Sequence, residues 1–249
     1  MFNQPIPPVT KNLLIINSLL FLATFVFAQR GIDLITPLAA YYPQSVNFQP
    51  WQIITHMFMH APFPNLSHIL FNMFALWMFG STVEHTLGRN KFIFLYFAAG
   101  LGSFVLFNFV NYIQIEQLKA ELLGSGIDLS FLNELKMSNI QKNNPMIPAT
   151  ETAIQIAKYY TTPMMGASGA IYGVLVAFGV LYPDAKLALI FLPIPVKAKY
   201  FIPVLIAIEF FLGLENFAWN PIAHFAHIGG AIIGFVLVWR WKKKLNREW

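Results

Sequence analysis

The chain has 249 residues, of which 57% are hydrophobic, 16% aromatic and 11% charged, with 25 phenylalanines and no cysteine. An ordinary soluble domain carries roughly 25% charged residues, so the composition excludes a water-soluble globule, and the lack of cysteine excludes disulfides, thiolate metal sites and a cysteine nucleophile. The net charge of +5 does not point to nucleic acid, because the basic residues cluster at the ends of apolar runs, where lipid headgroups lie.

Six apolar runs stand out, at about 12 to 28, 66 to 83, 92 to 113, 165 to 182, 200 to 214 and 221 to 241. Each approaches the roughly 20 residues that a bilayer-spanning helix needs. Backbone groups in lipid must be satisfied within the segment, which selects helices over strands. The predicted fold is therefore an all-α membrane protein of six transmembrane helices, a single embedded unit over residues 1–249. The first run follows MFNQPIPPVTK, which lacks the charged start and small-residue cleavage site of a signal peptide, so it is read as retained. Placing both termini on the cytoplasmic side puts Lys11, Arg89, Lys91, Lys186, Lys197, Lys199 and the basic C-terminus there, in accord with the positive-inside rule. With no targeting segment or soluble domain evident, the expected location is a bacterial plasma membrane.

Two connections are unusual. Residues 29 to 65 mix Pro37, Pro43, Pro50, Pro62 and Pro64 with Tyr41, Tyr42, Phe48, Trp51 and Phe58, a composition suited to the membrane interface. Residues 114 to 163 are polar and mixed in charge. There Ile115, Leu118 and Leu122, then Ala153, Ile156, Ala157 and Tyr160, recur at helical spacing around a break at NNPMIP, predicting two amphipathic helices in a long outer insertion. The run LALIFLPIP, 187 to 195, is too short to cross and is read as an inner-face connection.

Polar residues inside the spans carry the functional information, since each is costly in lipid and must face protein or water. Ser168 lies in GASG at the outer end of the fourth span, Tyr172 one turn below it, and His227 in AHIGG near the outer end of the sixth. His68 and Asn72, four apart, share one face of the second span. The pairs Gly169/Gly173 and Gly230/Gly234 give the fourth and sixth spans the small-xxx-small pattern that lets helix backbones touch. A close crossing would bring Ser168 to His227, and an imidazole can take the hydroxyl proton and return it to a leaving amine. No carboxylate is obviously placed to orient the ring, so the pair reads as a dyad. His68, Asn72 and the Ser168 backbone amide at a helix N-terminus are candidate donors for an oxyanion.

Together GASG with a tyrosine four residues after the serine, HIGG in the last span, HILFN in the second and WQIITHMFMH in the loop before it resemble a rhomboid intramembrane serine protease. The resemblance runs over about 50 to 100 and 165 to 240. It implies Ser168 as nucleophile, His227 as general base, His68 and Asn72 as oxyanion donors, and Tyr172, stacked on the histidine, and Gly166 as supporting residues. It further implies transmembrane protein substrates cut within the lipid bilayer near their outer ends, with no cofactor and no metal. Glu84 matches a structural carboxylate of the family. The loop motif usually reads Trp-Arg, whereas Trp51 is followed here by Gln52, which puts the anchoring of that loop in question.

Competing readings accompany these residues. A serine among glycines is commonly a packing residue, and His68 and Asn72 could simply staple helices together. His224, one turn before His227, could join His227 and His68 around a metal, although no HExxH is present. His56 and His60 suit capping or packing. Glu209, the acid inside the fifth span, suits a structural or gating role, with proton transfer or a coupling acid of a transporter as the alternative. A catalytically silent relative that binds membrane helices would carry the same groove.

Overall fold

The computed structural model describes residues 5–135, 147–189, 192–215 and 223–245. In chain order these form α1 (Pro8–Ala28), α2 (Ile35–Leu38), α3 (Gln52–Thr55), a 3-10 turn (His56–Phe58), α4 (Leu66–Ala75), α5 (Ser81–Leu87), α6 (Arg89–Gly124), a 3-10 turn (Ser130–Glu134), α7 (Glu151–Thr161), α8 (Ser168–Leu181), strands β1 (Lys186–Leu189) and β2 (Leu192–Lys197), α9 (Ala198–Glu215) and α10 (His224–Leu245). A π-helical turn, Leu76–Gly80, joins α4 to α5 into one rod. By length and composition, α1, that rod and α6 suffice to cross a membrane. The helix α8 is apolar but has only 14 residues, about 21 Å at 1.5 Å per residue. Against a hydrocarbon core of roughly 30 Å, a helix of that length reaching the inner face begins below the outer one, with Ser168 at its first turn.

The bundle is built around α6, α8 and α10, with the α4–α5 rod, α9 and α1 packed outside them. Its core is apolar: Leu76, Phe92, Leu95, Tyr96, Val174, Ala177 and Val238 are all fully buried. The lipid-facing sides of α1, α6 and α9 expose large apolar residues such as Leu19, Leu22, Val105, Phe109, Val204 and Phe211, as a membrane protein requires.

Three details differ from the sequence expectation. The third span does not end near residue 113; α6 continues without a break to Gly124, about 54 Å in all, because no proline or glycine interrupts residues 113 to 123. What reads as a separate amphipathic helix is thus its projecting end, where Ile115 and Leu122 pack with Phe131, Leu132, Leu135, Ala153, Ile156, Tyr160 and Tyr42 in a second apolar cluster. The second expected helix is α7, capped by the Thr150 hydroxyl on the Ala153 N–H. Most of NNPMIP lies outside the described residues. The described residues of the 187 to 195 run fall in the antiparallel β1–β2 pair, with Lys186 opposite Lys197 and Leu187 opposite Val196. Pro193 and Pro195 are two apart, a spacing that lets both missing N–H groups fall on an outer edge. Residues 216–222, which include the expected start of the sixth span, lie outside the described residues.

Buried polar groups fix the loop and the first helix. Glu84 accepts from the Val9 and Thr10 amides at 2.9 and 2.7 Å and from the Thr10 hydroxyl at 2.8 Å, so a carboxylate on α5 caps the N-terminus of α1, where orphan N–H groups and the helix dipole favour negative charge. Gln52 is fully buried. Its amide nitrogen donates to the carbonyls of Thr36 (2.9 Å) and Asn47 (3.2 Å), and its oxygen accepts from the amides of Gln49 (3.0 Å) and Tyr41 (3.4 Å). A neutral amide with two donors and two acceptor lone pairs therefore ties the loop together where the family usually has a cation, and the question of anchoring is answered by four hydrogen bonds.

Candidate active site

Glycines determine how α8 meets α10. A Cβ on Gly230 would overlap the carbonyl oxygen of Gly169, and one on Gly234 would overlap that of Gly173, so the helices touch backbone to backbone over two successive turns. Ser168 and His227 flank the first of these contacts, and Nε2 of His227 lies 2.9 Å from Oγ of Ser168. Tyr172, one turn along α8, lays its ring on that of His227 with centroids 4.2 Å apart and planes 6° from parallel. Ser168 is half-buried and His227 buried, which leaves the hydroxyl reachable and the imidazole shielded.

His68 lies beside this pair, and Asn72 follows one turn later on α4. Nδ1 of His68 accepts from the Ala61 amide at 3.1 Å, which leaves the ring proton on Nε2 as a donor. That Nε2 is 2.8 Å from where a Cβ on Gly166 would sit, and Oγ of Ser168 is 3.6 Å from the same point. Gly166 itself has φ +129°, a conformation that side chains disfavour, so its bare backbone keeps open the space between the two groups. Asn72 spends one amide hydrogen on the His68 carbonyl at 2.7 Å and retains the other.

Glu209 is the residue that sequence reasoning left apart from the histidine. It reaches the site from α9. Oε2 lies 2.6 Å from Nδ1 of His224 and 3.0 Å from Nδ1 of His227, while Oε1 accepts from the Tyr172 hydroxyl. The expectation that no carboxylate stands near the ring is corrected: α9 packs against α10, and His224 and His227, three apart, turn the same face toward it. The Glu209–His227 approach is at ion-pair distance, with the N–H axis not aligned on the oxygen. Glu209, His224 and His227 each present one ligand atom within 4.8 Å of the others, a donor set that suits zinc. In the arrangement described, the carboxylate is bonded to His224 and Tyr172. His68, the third ligand of the metal reading, has its Nδ1 taken by the Ala61 amide and its Nε2 directed at the space beside Gly166.

His56 and His60 take packing positions in the loop before α4. Nδ1 of His56 meets the Gln52 carbonyl at 2.8 Å and its ring lies against Phe104; the His60 ring lies 5.1 Å from that of His68. Burial lowers both to about 4, aided at His60 by the neighbouring His68. Unfolded histidine titrates near 6.5, so between those values the unfolded chain binds more protons. Stability is therefore intact above about pH 6.5 and is lost as pH falls toward 4. The thermal midpoint in detergent should drop between pH 7 and 4.5, and replacing both histidines with phenylalanine should flatten that slope; an unchanged slope would assign it to other groups.

Comparison with known proteins identifies the family. Residues 47–116 and 146–244 match the family described as Rhomboid domain. The chain belongs to the rhomboid family. That family generally comprises serine intramembrane proteases acting on membrane-protein substrates within the bilayer. Similar relatives include an uncharacterized mitochondrial rhomboid protein of Schizosaccharomyces pombe, 28% identical over 215 residues (78% of this chain, 52% of the relative). The mitochondrial presenilin-associated rhomboid-like protein of Mus musculus is 28% identical over 196 residues (74% and 39%). The mitochondrial Rhomboid protein 1 of Saccharomyces cerevisiae is 24% identical over 196 residues (79% and 43%). This rhomboid chain thus spans about half the length of these relatives or less. The expected bacterial plasma membrane is not borne out, since the relatives are mitochondrial. It rested on reading neither a targeting segment nor an appended soluble domain, and for a chain that covers only part of its relatives, the points at which it begins and ends carry no such information.

Proposed function

We propose that this rhomboid chain is an intramembrane serine endopeptidase that cleaves transmembrane segments of other membrane proteins by acyl transfer, with Ser168 as nucleophile and His227 as general base. The observation that carries the reading is the 2.9 Å approach of Nε2 to Oγ. As Oγ attacks the scissile carbonyl carbon, its proton passes to Nε2. The oxyanion is met by the His68 Nε2–H, the free Asn72 hydrogen and the Ser168 amide. Collapse breaks the C–N bond while Nε2 returns the proton to the departing amine, and water then enters by the same route in reverse to release the acyl group.

A substrate helix hides its carbonyls in its own hydrogen bonds, so it must unwind locally to be cut. Segments with small or helix-breaking residues near the outer face are the preferred substrates, and both chain ends lie on the opposite, Lys- and Arg-rich side. In proteoliposomes holding a single-span substrate, the native chain should yield two fragments and Ser168→Ala none, with its thermal midpoint retained. Cleavage by the Ser168→Ala protein would overturn the assignment.

A further inference from the structure

We infer that Glu209 is a positioning residue that completes a Ser168–His227–Glu209 triad inside the bundle, its carboxylate held in place by Tyr172 and His224. The inference rests on the protease reading above and extends it.

For Nε2 to accept a proton, the neutral imidazole must carry its hydrogen on Nδ1, and that hydrogen needs an acceptor. Oε2 of Glu209 stands 3.0 Å from Nδ1, on the side of the ring opposite the one that faces Ser168. The carboxylate is itself buried, at 7% exposure, and a buried charge persists only where donors converge on it. They do so here: the Tyr172 hydroxyl serves Oε1 and His224 serves Oε2 at 2.6 Å. Tyr172 thus fixes two members at once, the plane of His227 by stacking and the rotamer of Glu209 by hydrogen bonding. When Ser168 gives up its proton, the cationic imidazole forms beside a preplaced anion in a low-dielectric site, where the attraction is strong. A mere staple between α9 and the rest of the bundle needs only the His224 and Tyr172 bonds. The approach to Nδ1 of the one histidine that touches Ser168 exceeds what a staple requires. The distance is set while the N–H alignment is not, as is usual for catalytic hydrogen bonds before substrate arrives.

The test measures kcat and KM on a reconstituted single-span substrate for the native chain, Ser168→Ala, Glu209→Gln and His224→Ala, with thermal midpoints for each. Glu209→Gln keeps the shape and removes the charge. It should lower kcat by about 10² to 10⁴-fold with KM within about threefold of native, whereas His224→Ala should cost kcat less than about tenfold. A native kcat in Glu209→Gln, beside an inactive Ser168→Ala, overturns the triad and leaves the protease. Equal losses in Glu209→Gln and His224→Ala that track their thermal midpoints mark a staple and also overturn it. Cleavage by Ser168→Ala instead removes the protease reading itself. If Glu209→Gln does not fold, Glu209→Asp, which draws the charge back from Nδ1 by one methylene, decides by the same kcat criterion.

Discussion

Replacing His227 with alanine is expected to lower kcat by about 10⁴ to 10⁶-fold and to leave the chain folded. The loss is large because a serine hydroxyl is a weak nucleophile until a base takes its proton, and the Ser168 hydroxyl is in hydrogen-bonding contact with Nε2 of His227. The same substitution strips Tyr172 of its stacking partner but leaves its hydroxyl bonded to Glu209, so α8 and α9 stay linked. Because nucleophile and base act as a unit, the double variant Ser168→Ala/His227→Ala should be no slower than either single one. Rates that fall multiplicatively in the double variant would mean that the two residues act independently, and the acyl-transfer scheme would have to be abandoned.

Gly230→Ala should be the most damaging small substitution in the bundle. One added methyl would overlap both the oxygen and the carbon of the Gly169 carbonyl, and these are helical backbone, which cannot rotate away as a side chain can. Relief requires α8 and α10 to separate. Overpacking typically costs about 1–3 kcal/mol, and a backbone obstacle places this case at the upper end or beyond. A thermal midpoint lowered by several degrees is expected, with cleavage reduced at least tenfold as the Ser168–His227 contact opens. Gly124→Ala is the matched control, since a Cβ there meets nothing within 4 Å. If Gly230→Ala behaved like Gly124→Ala, the helices would not be in the backbone contact described.

The features legible in the sequence were those that depend on local pattern. Apolar runs gave the helices, and glycines four apart on two spans foretold the crossing that brings Ser168 to His227, because small residues act through the surfaces they leave bare. Glu209 was visible as an acid in a span, yet its partner was not: residues 209 and 227 sit on different helices, and periodicity within a helix says nothing about which face of its neighbour it meets. The three-residue step from His224 to His227 was the available signal, since it puts two imidazoles on one face where a carboxylate could serve both. Gln52 was misjudged for a related reason. A motif comparison registers the missing cation, whereas a buried amide satisfies four loop backbone groups without any charge. The unbroken α6 and the β1–β2 pair lay beyond the reach of hydropathy alone, which marks where an apolar run stops and not where a helix does.

The most direct measurement is labelling of the purified protein with a fluorophosphonate, followed by peptide mass analysis. A serine activated by a neighbouring imidazole should take the label at Ser168, and His227→Ala should abolish it while both proteins melt cooperatively. An unlabelled native protein, or labelling at Ser168 that persists without His227, would contradict the claim that these two side chains form a working nucleophile.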